Sequence, residues 1–90
     1  MLIALIARDK AGALPVRMEN RPAHVEYLKA SPAVQQAEPL LDANGEMCGS
    51  LIVLDVADMA DAETWAAGDP YGKAGLFDSV ELIPWNRVIG

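Results

Sequence analysis

The sequence predicts an α+β protein with ferredoxin-like βαββαβ order: a four-stranded antiparallel sheet with two helices on one face. Ninety residues fit one domain, residues 1–90, because two domains would each fall below the usual minimum size. Segments with strand-like and helix-like periodicity follow one another in that order. An Asn-Gly pair between the second and third strands is a strong hairpin signal. Together these three observations predict the fold class.

The first strand and helix occupy the first third of the chain. Both alternating sets of side chains in Met1–Ala7 are apolar, which is typical of a strand covered on both faces. A helical stripe follows over 13–30. Pro22 removes a hydrogen bond from a helix interior, so we expect one helical turn to end near Asn20 and a second helix to start with Pro22 in its first turn. This places His24 near a helix N-terminus.

The remaining elements follow from turn and capping signals. Strands over 34–41 and 47–56 flank the Asn44-Gly45 turn, whose glycine tolerates the positive φ of a tight hairpin. Asp61 is expected to cap a helix that ends at Gly68. The last strand covers about 78–87, and the proline within it indicates an edge strand or a bulge.

Charge and composition restrict the class of partner. The formal net charge of −6 argues against nucleic acid and anionic membranes, which both require a positive field. A small-molecule ligand remains. The hydrophobic fraction of 52% exceeds what one small core absorbs, so we expect a homodimer with sheets packed face to face, or a higher oligomer built from it. One cysteine and no recognisable export signal or membrane span predict a cytoplasmic protein.

His24 is the only histidine and the first candidate for chemistry. Histidine is the one side chain whose unperturbed charge change falls near neutral pH, so it suits proton transfer. A helix places it one turn after Arg21 and beside the apolar stripe. The alternative is a histidine at the edge of the core whose ring is hydrogen-bonded to a backbone carbonyl.

Asp69 has two interpretations. A carboxylate can orient a histidine and stabilise the imidazolium that forms when the ring takes a proton. Gly68-Asp69-Pro70 is also typical of a helix end followed by a new N-cap and a first-turn proline. The local sequence favours the cap, and only the fold can bring Asp69 to His24.

Other motifs carry less chemistry. Ser50 lacks the Gly-x-Ser-x-Gly setting of an activated nucleophile, so hydrogen bonding is its expected role. Cys48 has no second thiol and a single histidine elsewhere, which argues against a zinc site and favours a small buried hydrophobic residue. The glycines form no phosphate-binding loop. We therefore expect no metal and no cofactor.

A resemblance to a known family is carried by four segments: Arg21-Pro-Ala-His24, Gly49-Ser50, Trp65 with Asp69-Pro70-Tyr71, and Val80-Glu-Leu-Ile-Pro84-Trp85. Together they resemble the YciI-like family over nearly the whole chain. The resemblance implies a dimeric α+β barrel in which His24 and Asp69 face each other in a cleft as the catalytic pair. It also implies that Arg21, Ser50 and Tyr71 bind the substrate.

These observations lead to a small enzyme of lyase or isomerase type as the first hypothesis. His24 would move a proton on a small organic acid, Asp69 would orient it, and Arg21 could hold a substrate carboxylate. The family includes a dehydrochlorinase, expected to act on a chlorinated muconate, and the same barrel carries muconolactone isomerases. The alternative is a non-catalytic dimeric module that binds a small metabolite or has a regulatory role. A cofactor-free oxygenase is a third hypothesis, from fold analogy alone.

Overall fold

The computed structural model describes residues 1–90. The elements in chain order are β1 (Leu2–Asp9), α1 (Leu14–Lys29), β2 (Val34–Leu41), β3 (Met47–Asp55), α2 (Met59–Gly68), α3 (Pro70–Lys73) and β4 (Phe77–Trp85). The sheet has the order β2-β3-β1-β4, and all neighbouring strands are antiparallel. The ferredoxin-like prediction is confirmed, with the short α3 added before the last strand and β4 at an edge.

One face of the sheet forms the core. Ile3 and Leu5 of β1 pair with Leu54 and Ile52 of β3, and all four side chains are essentially fully buried. Trp65 of α2 belongs to the same cluster. Burying an aliphatic side chain of this size contributes about 1.5–3 kcal/mol, so these contacts hold the helices over this face.

The opposite face of the sheet, which we call the open face, has an apolar centre with charged side chains such as Glu38 and Glu81 beside it. Strand register places the following side chains on it: Leu2, Ala4 and Ile6 of β1, Leu51 and Val53 of β3, and Ile83 and Trp85 of β4. Ile83 and Trp85 are 41% and 45% exposed. No element of the chain covers this face, because both long helices pack on the other one.

Helix α1 runs without interruption through Pro22, so the expected break near Asn20 is wrong. Pro22 cannot donate to the Met18 carbonyl one turn earlier. Two buried residues on either side of it, Arg17 and His24, are held in the same site by contacts described below, and this tertiary packing keeps both halves in one helix. His24 therefore lies in the second half of a single helix and not near an N-terminus.

Helix α2 begins slightly earlier than expected. Its N-cap is Asp58, whose side chain accepts a hydrogen bond from the backbone N–H of Asp61 at 2.9 Å. Asp61 thus lies in the first turn, where its charge is favourable towards the helix dipole, and it is not the cap. None of the helices combines the length and the apolar character needed to cross a membrane.

The hairpin turn lies at the predicted Asn44-Gly45 pair. Gly45 has a φ of +78°, whereas no residue other than glycine has a positive φ. The N–H of Asp42 donates to the carbonyl of Glu46 at 2.9 Å, which leaves a three-residue loop over 43–45. Such loops combine a type I turn with a left-handed residue, a position that glycine occupies without strain.

Candidate active site

His24 and Asp69 come together in the fold. Nδ1 of His24 lies 2.8 Å from Oδ1 of Asp69, and the two side chains are 8% and 2% exposed. Asp69 lies between α2 and α3, so its backbone is fixed by both helices. A carboxylate can only accept, so the hydrogen between the two atoms belongs to Nδ1. Nε2 is then the ring nitrogen available to a ligand.

The two interpretations of Asp69 hold at once. Oδ1 accepts a hydrogen bond from the backbone N–H of Tyr71 at 3.0 Å, which makes Asp69 the N-cap of α3, with Pro70 in the first turn. The same oxygen contacts His24. Its second oxygen, Oδ2, is buried and has no hydrogen-bond partner in the protein. The cap therefore fixes the carboxylate that orients the histidine.

Tyr71 fixes the plane of the imidazole. Its ring stacks on that of His24, with ring centroids 3.8 Å apart and planes 16° from parallel. The guanidinium carbon of Arg17 lies 4.5 Å from the centroid of the Tyr71 ring. Phe77 meets the same ring edge-on at 6.0 Å. These contacts leave Tyr71 only 1% exposed and hold the imidazole in one orientation.

Arg17 is a buried member of the site, only 2% exposed. It donates from Nε and Nη2 to the two carboxylate oxygens of Asp9, at 2.7 and 2.9 Å, in a bidentate pair. Nη2 also donates to Oγ of Ser50 at 2.9 Å. Ser50 accordingly helps to hold Arg17. Arg17 is thus a buried cation whose charge is balanced by Asp9.

Sequence reasoning missed Arg17 because it assumed that the helix breaks at Pro22. On an uninterrupted helix Arg17, Arg21 and His24 recur at spacings of four and three residues, which places them on one face. Three polar residues on one face, two of them buried, are unusual for a helix that packs on a sheet. This spacing is the signal that identifies Arg17.

Burial sets the protonation of the groups around the dyad. Burial raises the pKa of the Tyr71 phenol, and the nearby charges of Arg17 and Arg21 counter only part of that effect. For Arg17, burial acts to lower the pKa, but the hydrogen bond and the charge of Asp9 outweigh it and raise the pKa. At neutral pH the site therefore contains a neutral phenol beside a charged guanidinium.

A cleft of about 390 Å³, solvent at its mouth included, opens between α1 and the sheet. Its lining consists of Arg17, Arg21, His24, Val25, Leu28, Ala37, Glu38, Pro39, Met47, Ser50, Ile52 and Tyr71. All three predicted substrate-binding residues, Arg21, Ser50 and Tyr71, thus lie along the same cleft as His24. Half of the lining is hydrophobic, so the cleft offers apolar walls together with a cluster of polar groups.

Arg21 and Ser50 differ in their freedom to meet a ligand. Arg21 is exposed and forms no ion pair with an acidic side chain, whereas Ser50 is buried and accepts from Arg17. Glycine precedes Ser50 because a Cβ at Gly49 would collide with the carbonyl oxygen of Ala7 on the neighbouring strand. No group of three or more histidine, cysteine or acidic side chains is placed to hold a metal ion.

Comparison with known proteins supplies the family. The family model of the YCII-related domain matches residues 1–86. Protein YciI of Escherichia coli O6:H1 is 32% identical, and the alignment covers 98% of this chain and 99% of that protein. An uncharacterised protein of Haemophilus influenzae is 26% identical with the same coverage of both chains.

Solved structures give the fold and one activity. The structure of 5-chloro-2-hydroxyhydroquinone dehydrochlorinase from Burkholderia phenoliruptrix AC1100, in complex with 2,5-dihydroxybenzoquinone, is 30% identical with a TM-score of 0.89. The match covers 96% of this chain and 94% of that one. This enzyme is named for a chlorinated hydroxyhydroquinone, which corrects the expectation of a chlorinated muconate. Rv0793 of Mycobacterium tuberculosis, at 11% identity and a TM-score of 0.65, shares the fold alone.

The resemblance inferred from the four short motifs agrees with both kinds of match. The family match covers the residues of the His24 and Asp69 motifs. The fold of this chain brings these two residues into contact. The chain belongs to the YCII-related, or YciI-like, family.

Proposed function

We propose that the protein is a small enzyme of lyase or isomerase type that transfers a proton on a small, acidic, hydroxylated organic compound. The observation that supports this best is the buried 2.8 Å contact between His24 Nδ1 and Asp69, which leaves Nε2 as the free nitrogen of a residue that lines the cleft. A positioned general base of this kind contributes about 10²–10⁴-fold to a rate. Here His24 is the base and Asp69 is its orienting partner.

The proposed reaction starts with proton abstraction. Nε2 of His24 takes a proton from a C–H group of the substrate, and Asp69 stabilises the imidazolium that results. In an elimination, the C–H electron pair forms a new C=C bond while the bond to the leaving group breaks and chloride departs. In an isomerisation, the imidazolium returns the proton to another carbon. Neither course requires a redox change at the protein.

The similar dehydrochlorinase supports a substrate with a hydroxylated six-membered ring. Its 30% identity extends over nearly the whole of both chains. The charge of Arg17 is balanced by Asp9, whereas Arg21 has no such partner, so Arg21 is the residue that would attract an acidic oxygen of the substrate. Apolar residues such as Val25 and Leu28 would contact the ring.

The alternative function is binding without chemistry. Half of the cleft lining is hydrophobic, which would also suit a module that holds a small metabolite. An enzyme and a binding module would both bind the small molecule, but only the enzyme would convert it. An assay must therefore follow a bond that changes.

Two measurements test the proposal. The first is chloride release from 5-chloro-2-hydroxyhydroquinone without oxygen, compared with the same solution lacking protein. The second follows exchange of the ring hydrogens of 2,5-dihydroxybenzoquinone, hereafter the quinone probe, in deuterium oxide. We expect the protein to accelerate at least one of them. Tight binding of the quinone probe with neither chloride release nor exchange would instead support the binding module.

We also propose that the open face packs against the open face of a second copy. Ile6 lies at its centre, paired with Leu51 and with Glu81 of the edge strand. A lysine at position 6 would face Glu81, so the monomer fold should tolerate it, while a buried charge would oppose sheet-on-sheet packing.

Sedimentation velocity at micromolar concentration tests the dimer. We expect the unmodified protein to sediment as a dimer and Ile6→Lys as a folded monomer. The matched control is Ala23→Lys, which adds the same charge on the exposed side of α1 and should stay dimeric. An unmodified protein that sediments as a monomer would contradict face-to-face association.

A further inference from the structure

The hydroxyl group of Tyr71 takes no part in the contact between His24 and Asp69. Tyr71 is 1% exposed, yet it lines the cleft beside His24. Its backbone N–H is bound to the Asp69 oxygen that contacts His24, and its ring stacks on the imidazole. The same residues therefore position the base and the phenol, so the hydroxyl is held at a fixed place relative to Nε2.

The hydrogen of that hydroxyl lacks an acceptor within the protein. The backbone N–H of Tyr71 donates to Asp69, but no side chain or carbonyl of the protein accepts from its hydroxyl. Arg17 lies against the ring, but a guanidinium has donors only and cannot accept the phenol hydrogen. Tyr71 lines the cleft, and its hydroxyl oxygen is not among the fully buried atoms that lack a partner, so the hydroxyl is accessible from the cleft. A molecule that enters the cleft can supply the acceptor.

The phenol is suited to donate. Burial raises its pKa, so it keeps its hydrogen at neutral pH. The neighbouring Arg17 is a donor-only cation, and a positive charge beside a phenol makes its O–H a stronger donor. A neutral donor with no internal acceptor selects a ligand oxygen that can accept, such as a carbonyl, and disfavours a ligand that presents a hydrogen there.

We propose that the Tyr71 hydroxyl donates a hydrogen bond to a ring carbonyl oxygen of the substrate, next to the carbon from which His24 takes a proton. This inference rests on the proposed function and narrows its substrate class to compounds with an acidic C–H adjacent to a carbonyl. In the keto tautomer of the ring, the proton on the sp3 carbon beside that carbonyl moves to Nε2, its C–H electron pair forms the new C=C bond, and the carbonyl π pair moves to oxygen. Tyr71 keeps its hydrogen and stabilises the charge that develops.

Tyr71→Phe tests the proposal because it removes only the hydroxyl and keeps the ring against His24. Loss of one such donor costs about 10²–10³-fold in rate, so exchange of the quinone probe should fall by that factor. Affinity for the quinone probe should fall about tenfold or more, as expected for one lost hydrogen bond of about 1.4 kcal/mol. The control is Tyr27→Phe, whose hydroxyl donates to the carbonyl of Trp65 and does not line the cleft.

The outcomes separate this inference from the proposed function. Tyr71→Phe with unchanged exchange and affinity would overturn the role of Tyr71 while leaving proton transfer by His24 intact. If the unmodified protein accelerates neither exchange nor chloride release, the proposed function is wrong, and affinity for the quinone probe alone then decides the role of Tyr71. If the unmodified protein does not bind the quinone probe, the assignment of a ring carbonyl to Tyr71 is wrong.

A second variant covers the case in which Tyr71→Phe does not fold. Fluorotyrosine incorporated into the Tyr27→Phe protein modifies Tyr71 alone, since the chain has two tyrosines. Fluorine makes the phenol more acidic without changing the ring stack. The alkaline pH at which the quinone probe ceases to bind should then move lower. If the alkaline pH limit of quinone-probe binding does not move, Tyr71 does not donate to the ligand.

Discussion

Replacement of His24 by asparagine is expected to lower the rate of quinone-probe exchange, or of chloride release, by about 10²–10⁴-fold, towards the rate without protein. The amide nitrogen of asparagine occupies the place of Nδ1 and can still donate to Asp69, so the site should keep its shape. It has no basic nitrogen to take a proton from the substrate. Affinity for the quinone probe should change far less than the rate, and both can be measured on the same preparation.

Asp69→Asn is the companion variant. An amide oxygen at this position can still accept from the backbone of Tyr71 and preserve the α3 cap, but it removes the negative charge that stabilises the imidazolium. We expect a folded protein with a reduced rate. If His24→Asn retained the rate of the unmodified protein, the dyad would not be the source of proton transfer.

Replacement of Asp9 by alanine is expected to cost about 3–5 kcal/mol in the free energy of unfolding, as typical when one partner of a buried ion pair is removed. Arg17 and Asp9 have side chains only 2% and 5% exposed and share two hydrogen bonds. Without Asp9, the guanidinium would remain buried with Ser50 as its one hydrogen-bond acceptor. Urea unfolding measures the loss.

The control for Asp9→Ala is Asp55→Ala. Asp55 pairs with the N-terminal amino group of Met1 at 3.3 Å, but both partners are about half exposed. Exposed pairs contribute about 0–1 kcal/mol because solvent screens them. Equal losses from Asp9→Ala and Asp55→Ala would mean that the buried pair does not hold Arg17 in the site.

Much of the fold can be predicted from the sequence because the elements differ in period. Met1–Ala7 and the centre of β3 are apolar on both faces, which predicts central strands, and Asn44-Gly45 locates the hairpin. These signals are local, so they can be recognised without knowledge of the fold. The course of α1 could not be predicted in the same way, because the local rule for Pro22 is overridden by tertiary contacts.

The site residues, like the elements of the fold, could be predicted only where the signal is local. The motif combination identified His24 and Asp69, and the structure brings them within hydrogen-bonding distance. Arg17 went unrecognised because its place in the site depends on the unbroken helix and on Asp9, which belongs to another element. From the local sequence, capping α3 and orienting His24 are alternative roles of Asp69. In the structure one oxygen atom performs both.

The tautomer of His24 tests the dyad most directly. The chain has a single histidine, so its nitrogen-15 resonances can be assigned without ambiguity. With Asp69 accepting from Nδ1, the neutral ring should carry its hydrogen on Nδ1 and leave Nε2 as the basic nitrogen. Asp69→Ala should shift this balance towards the Nε2–H form. A ring that carries its hydrogen on Nε2 in the unmodified protein, or a tautomer unaffected by Asp69→Ala, would contradict the dyad.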